Sequence, residues 1–118
     1  AKESAAAALR NLANKNDKNK VTIAAAGAIP PLVNLLTSGS ADAKENAAGA
    51  LRHSAKDDEN KVAIAEAGAI PPLVNLLTSG TADAKENRVL RNLAVHNDKY
   101  KVKIAKRGAI RPLVNLLT

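Results

Sequence analysis

Cysteine, methionine, phenylalanine and tryptophan are all absent, and tyrosine occurs once, at Tyr100. Without cysteine there is no disulfide framework and no thiolate metal site; this suits a reducing compartment, and a cytoplasmic or nuclear location is the expectation. Without large aromatics the core must come from Leu, Ile, Val and Ala, so many thin interfaces have to add up. No apolar run approaches the roughly 18–20 residues that span a bilayer, and the opening residues lack a signal-peptide layout. Zinc-ligand spacing, a glycine-rich phosphate loop and a glycosylation sequon are also missing. The two histidines, His53 and His96, have no carboxylate or thiol at a useful spacing. They are expected to lie on the surface or to line a groove, with no catalytic residue, metal site or cofactor in the chain.

The charge is unevenly placed. Up to Ala84 nine basic and nine acidic residues cancel. From Lys85 onward Lys85, Arg88, Arg91, Lys99, Lys101, Lys103, Lys106, Arg107 and Arg111 face only Glu86 and Asp98, so the whole net charge of +7 falls in the last third. Such a stretch is either a solvated face or a contact for acidic peptide, phosphate or nucleic acid.

What the chain has in abundance is repetition. The string GAIPPLVNLLTSG at residues 27–39 recurs unchanged at 68–80, and again from Gly108 with Arg111 in place of the first proline. A second block, ADAKEN at 41–46, recurs at 82–87, and residues 1–4 are a worn copy. A third block precedes each glycine, beginning at Asn19, Asn60 and Tyr100. Self-similarity at about 40 residues marks a stacked repeat architecture.

Each unit reads as three helices. The first, near 61–67, places Val62, Ile64 and Ala65 toward one side, and Gly68 can adopt the left-handed conformation that stops it. The second runs from about Pro71 to Thr78. Proline is tolerated in a first turn whose N–H groups lack partners anyway. Ile70, Leu73, Val74 and Leu77 form an inward stripe that Leu76 widens, and Asn75 faces away. The third helix is the longest. It begins at Ser40 as N-cap and buries Ala43, Ala47, Ala50, Leu51 and Ser54.

A three-helix unit with glycine between its first two helices, carried here by residues 27–36 and by Ala50, Leu51, Arg52 and His53, resembles the armadillo repeat family over essentially the whole chain. The two-helix HEAT repeat lacks the short first helix. The resemblance implies an all-α, right-handed superhelical solenoid of roughly three repeat equivalents. It implies a concave face of third helices that binds protein or extended peptide. The family's ladder asparagine falls at Asn11, His53 and Asn92. An amide there can both donate to and accept from an extended backbone. The tryptophan clamp of nuclear-import members is replaced by Ala7, Gly49 and Arg88, which argues against basic nuclear-localisation peptides. Arg10, Arg52 and Arg91 precede the ladder positions instead, and bidentate pairing favours an acidic partner.

The phase of the repeats raises a further expectation. Residues 1–15 supply a lone third helix, 16–55 and 56–95 are complete units, and 96–118 supply a first and second helix, all within one domain. Terminal units normally present a polar outer face. Here Leu9 and Leu12 at one end, and Leu113, Val114, Leu116 and Leu117 at the other, are candidates for head-to-tail self-association, which is heterologous and open-ended unless it closes a ring. Two other readings stand beside the peptide scaffold. One is an engineered, reconstructed or excised repeat fragment with a structural role and no evolved partner. The other is weak nucleic-acid binding through the basic last third, disfavoured because Tyr100 alone offers little stacking surface. One irregularity remains. Glu86 precedes Leu90 by two residues fewer than Glu45 precedes Leu51. Aligned on the leucines, Glu86 takes the place of core Ala47, and weaker order near 85–88 is expected.

Overall fold

The structure is a computed structural model that describes residues 1–78, 84–95 and 97–117, apart from the side chains of 78 and 84–87. Its described residues form α1 (Lys2–Ala13), α2 (Asp17–Ala25), α3 (Ile29–Ser38), α4 (Ala41–Ser54), α5 (Asp58–Glu66), α6 (Ile70–Thr78), α7 (Ala84–Ala94), α8 (Asp98–Lys106) and α9 (Ile110–Leu116). In repeat terms α2–α3–α4 and α5–α6–α7 are successive triplets, α1 is a third helix, and α8 and α9 are a first and a second. Third helices stack on third helices, α1 on α4 and α4 on α7, while second helices pack beside them.

Local chemistry sets the helix boundaries. Each first helix starts on a side chain that accepts from a backbone N–H three residues on: Asn16 from Asn19 at 2.9 Å, Asp57 from Asn60 at 3.0 Å and Asn97 from Tyr100 at 3.0 Å. Ser40 does the same for α4, accepting from Ala43 at 3.2 Å. Each cap satisfies an N–H that would otherwise lack a partner. The turn between first and second helices is closed by Gly27, Gly68 and Gly108, with φ of +86°, +86° and +91°. A Cβ at any of the three would meet nothing within 4 Å. Glycine is therefore required for its backbone conformation and not for space.

The core follows the expected stripes. Ile70, Leu73, Val74, Leu76 and Leu77 of α6 are buried and Asn75 is exposed. On α4 the alanines Ala43, Ala47, Ala48 and Ala50 are buried with Leu51 and Ser54. Small side chains let the third helices approach closely, and Leu51, Leu73 and Leu93 fill the space between layers.

The first helices depart from expectation. Val62 is 42% exposed, and its counterparts Val21 and Val102 are exposed as well. The buried positions of α5 are Asn60, Lys61 and Ile64. The cause is that polar groups on this helix have partners on both sides, in α2 of the preceding unit and at the end of α7. Asn60 donates from Nδ2 to the Lys20 carbonyl at 3.2 Å, and Lys61 donates from Nζ to the Val95 carbonyl at 3.3 Å while pairing with Asp58 at 3.2 Å. These bonds dock the helix on its polar side and turn Val62 outward. Residues 84–87 lie on helical backbone, but the side chain of Glu86, and with it the expected irregularity, lies outside the described residues.

Candidate functional site

Side chains of the third helices α1, α4 and α7 line two cavities between successive members of the stack. Between α4 and α7, Arg52, His53, Lys56, Arg88, Arg91 and Asn92 line a polar cavity of about 250 Å³. Five of the seven predicted groove residues thus meet in one place, and Lys56 is an addition that the repeat pattern did not single out. Between α1 and α4 a second cavity, of about 340 Å³, is lined by Glu3, Ser4, Ala7, Arg10, Asp42, Glu45 and Asn46. Arg10 sits here among carboxylates, so the structure divides the expected row of arginines. Asn11 is exposed and lines neither cavity.

The ladder residues are built differently from one another. Asn92 is buried and donates from Nδ2 to the Arg52 carbonyl at 3.0 Å, which ties α7 to α4. Its Oδ1 and second N–H are outside that bond. His53 is 6% exposed. It lines the cavity as a buried group and not as a surface one. Its Nε2 lies 3.0 Å from Arg52 Nη2. A guanidinium can only donate, so Nε2 accepts and the ring proton resides on Nδ1. That N–H is buried and has no partner among the described residues. Burial, with Arg52, Lys56, Lys20 and Arg10 nearby, lowers the His53 pKa from 6.5 to about 4, so the ring is neutral at pH 7.

The remaining candidates lie at the two ends. Leu12, Val114, Leu116 and Leu117 are exposed, Leu117 at 86%, and Ile110 joins them as an exposed residue that the repeat pattern did not mark. Leu9 and Leu113 are half-buried against the core. Leu9 also lines an apolar cavity of about 320 Å³ between α1 and α3, with Leu32, Leu35 and Pro31. Tyr100 is buried under a lysine, with Lys103 Nζ 5.9 Å from the ring centre, so it presents no open face for stacking on a base. His96 lies outside the described residues. No group of three or more metal-ligating side chains occurs among the described residues, and no single described helix is long and apolar enough to cross a membrane.

No curated protein matches the chain in sequence. Solved structures do. The designed armadillo repeat protein YIII(Dq)4CqI superposes with a TM-score of 0.88 at 33% identity, over 98% of this chain and 50% of its own. A second designed armadillo repeat protein, YIII(Dq.V1)4CPAF in complex with the peptide (KR)4, gives 0.87 at 33% identity, over 98% and 49%. The armadillo repeats only protein from Plasmodium falciparum gives 0.86 at 33% identity, over 98% and 50%. The chain therefore spans about half the length of these proteins. Armadillo/beta-catenin-like repeats match residues 16–53 and 57–87, more than half of the sequence. With its glycine-stopped first helices, its leucine-striped second helices and its stacked alanine-rich third helices, the chain belongs to the armadillo/beta-catenin-like repeat family.

Proposed function

We propose that this chain is a non-enzymatic scaffold that binds an extended segment of another protein along the face of α1, α4 and α7, with units at 16–55 and 56–95. The observation that carries this reading is the convergence of Arg52, His53, Arg88, Arg91 and Asn92, from two successive third helices, on one cavity. Arginines there can hold carboxylates bidentately, and Asn92 retains donor and acceptor capacity for a peptide backbone. A designed relative is complexed with (KR)4. In this chain the α4–α7 cavity carries four cationic side chains, so a uniformly basic peptide is repelled there and an acidic group is attracted. With few layers, each binding about two to three residues, affinity is modest.

Fluorescence anisotropy against a library of extended peptides tests this. Arg52→Ala with Arg91→Ala should weaken the best binder by ten-fold or more, since charge-assisted bonds contribute roughly 1.5–3 kcal/mol each. Unchanged affinity would remove the groove reading. Steeply salt-dependent binding of random-sequence DNA at equal affinity would favour the nucleic-acid alternative.

A second reading, that copies of the chain associate head to tail, is favoured by the exposed Ile110, Val114, Leu116 and Leu117 on and beside α9, together with the apolar cavity that Leu9, Leu32 and Leu35 form between α1 and α3. In this reading α1 of one copy would seat on α9 of another as α4 seats on α3. Light scattering against concentration should show growing mass that Leu117→Glu abolishes. A chain that stays monomeric at high concentration would refute it.

A further inference from the structure

We propose that the groove reads a split-charge peptide, with a basic side chain seated between α1 and α4 and an acidic side chain between α4 and α7. This rests on the peptide reading above and changes what that reading implies about the partner, which need not be acidic throughout.

The two cavities adjoin along α4 and carry opposite charge. The first has Glu3, Asp42 and Glu45 against the single Arg10. The second has Arg52, Lys56, Arg88 and Arg91 and no carboxylate among its described lining residues. Its floor also holds the buried His53 ring, whose Nδ1–H has no acceptor within the described chain. That N–H is enclosed, so recognition of a peptide falls to the cations at the cavity mouth. The Arg88 and Arg91 guanidiniums that line the cavity with Arg52 can take a carboxylate in a two-pronged pair. A cationic side chain has no comparable reason to enter this cavity, whereas the first cavity offers it three carboxylates.

Spacing follows from helix geometry. Glu45 and Arg52 are separated by about two turns of α4, roughly 10 Å of rise. Crossing from one inter-helix groove to the next adds about 8–10 Å. The diagonal of about 14 Å is covered by roughly four residues of extended chain. It also exceeds the Debye length of about 8 Å at physiological salt, so each charge is read largely by its own cavity.

Peptides of equal length distinguish the possibilities by anisotropy on the full chain. A split-charge peptide with lysine and glutamate about four residues apart should bind at least ten-fold more tightly than its all-acidic and all-basic counterparts. Glu45→Gln should weaken the split-charge peptide and, by relieving like-charge repulsion, should strengthen the all-acidic one slightly. Arg91→Glu should weaken the split-charge peptide several-fold and improve the all-basic one, a gain that loss of folding cannot mimic. If the all-acidic peptide binds wild-type chain as tightly as the split-charge one, the inference fails while the groove reading stands. If no peptide binds, both fail.

Discussion

His53 makes the stability of this chain depend on pH in a way that one substitution can isolate. The ring is buried beside Arg52, and Lys56, Lys20 and Arg10 add positive potential, so the folded chain resists protonating it until about pH 4, against 6.5 for an unperturbed histidine. Below pH 6.5 the unfolded chain therefore holds a proton that the folded chain refuses. Acidification favours unfolding over that window, and the loss is complete once pH falls below the folded value. Each unit of difference corresponds to about 1.4 kcal/mol. The expected loss is about 2 kcal/mol by pH 5 and about 3 kcal/mol by pH 4, a large share of the stability of a small domain. Carboxylates titrate in the same range, so the wild-type curve alone is ambiguous. The comparison that isolates the ring is His53→Asn, which places the amide of the equivalent position on α7 at this site and cannot titrate. Urea unfolding between pH 7.5 and 4 should show the two proteins diverging, with wild type losing more. Parallel curves would mean that the folded chain protonates His53 freely, and the neutral ring with its Nδ1–H donor would have to be abandoned.

Three further measurements probe the stacking. Lys61→Ala should cost about 1–2 kcal/mol in urea unfolding, because Val95 loses a donor to its carbonyl in a partly buried setting; Lys101→Ala, whose side chain is 56% exposed and pairs with the exposed Asp98, should change stability by less than about 0.5 kcal/mol. Equal effects at the two sites would refute the burial argument. Gly68→Ala should lower stability by about 1–2 kcal/mol through backbone strain at φ +86°, with an unchanged circular dichroism spectrum; a neutral result would mean the turn relaxes to negative φ. Ala48→Leu should destabilise by about 1–3 kcal/mol, because Ala48 is fully buried within the core cluster and the added atoms must displace packed neighbours; a gain in the thermal midpoint would show that the site has room for them.

The parts of the fold that the sequence made legible are those where repetition and chemistry agree. Three copies of the glycine turn could be read as left-handed stops because glycine adopts that conformation without a Cβ penalty. The α6 stripe could be read because its polar exception, Asn75, falls on the outer side. The first helices misled for a definite reason. Amphipathic reading assumes that polar residues face water, but Asn60 bonds the Lys20 carbonyl of the preceding unit and Lys61 the Val95 carbonyl at the end of α7. A short helix offers too few apolar residues to outweigh two such bonds. The clue available in sequence was the recurrence of the Asn–Lys pair at 19–20 and 60–61.

The same limit explains the groove. Ladder positions could be named from the repeat, but which of them share a cavity depends on side chains about forty residues apart, and a position-by-position comparison treats Arg10, Arg52 and Arg91 as one row. The structure separates them because each cavity belongs to a pair of helices, so its charge is set by two copies at once. Arg10 faces Asp42 and Glu45 of the next copy, while Arg52 faces Arg88 and Arg91 of the copy after it. Core positions of the second helices must suit the layers on both sides, and their leucines recur unchanged in all three copies. Groove positions meet only one neighbour and solvent, so they can vary without disturbing the stack. Replacing the small Ala7 and Gly49 by Arg88 at the third equivalent position is such a change. It leaves the leucine and alanine layers intact and alters the charge of one cavity alone. A solenoid of almost identical units can in this way present a different chemical demand at each step, and the pairing of adjacent copies, more than any single copy, determines what it recognises.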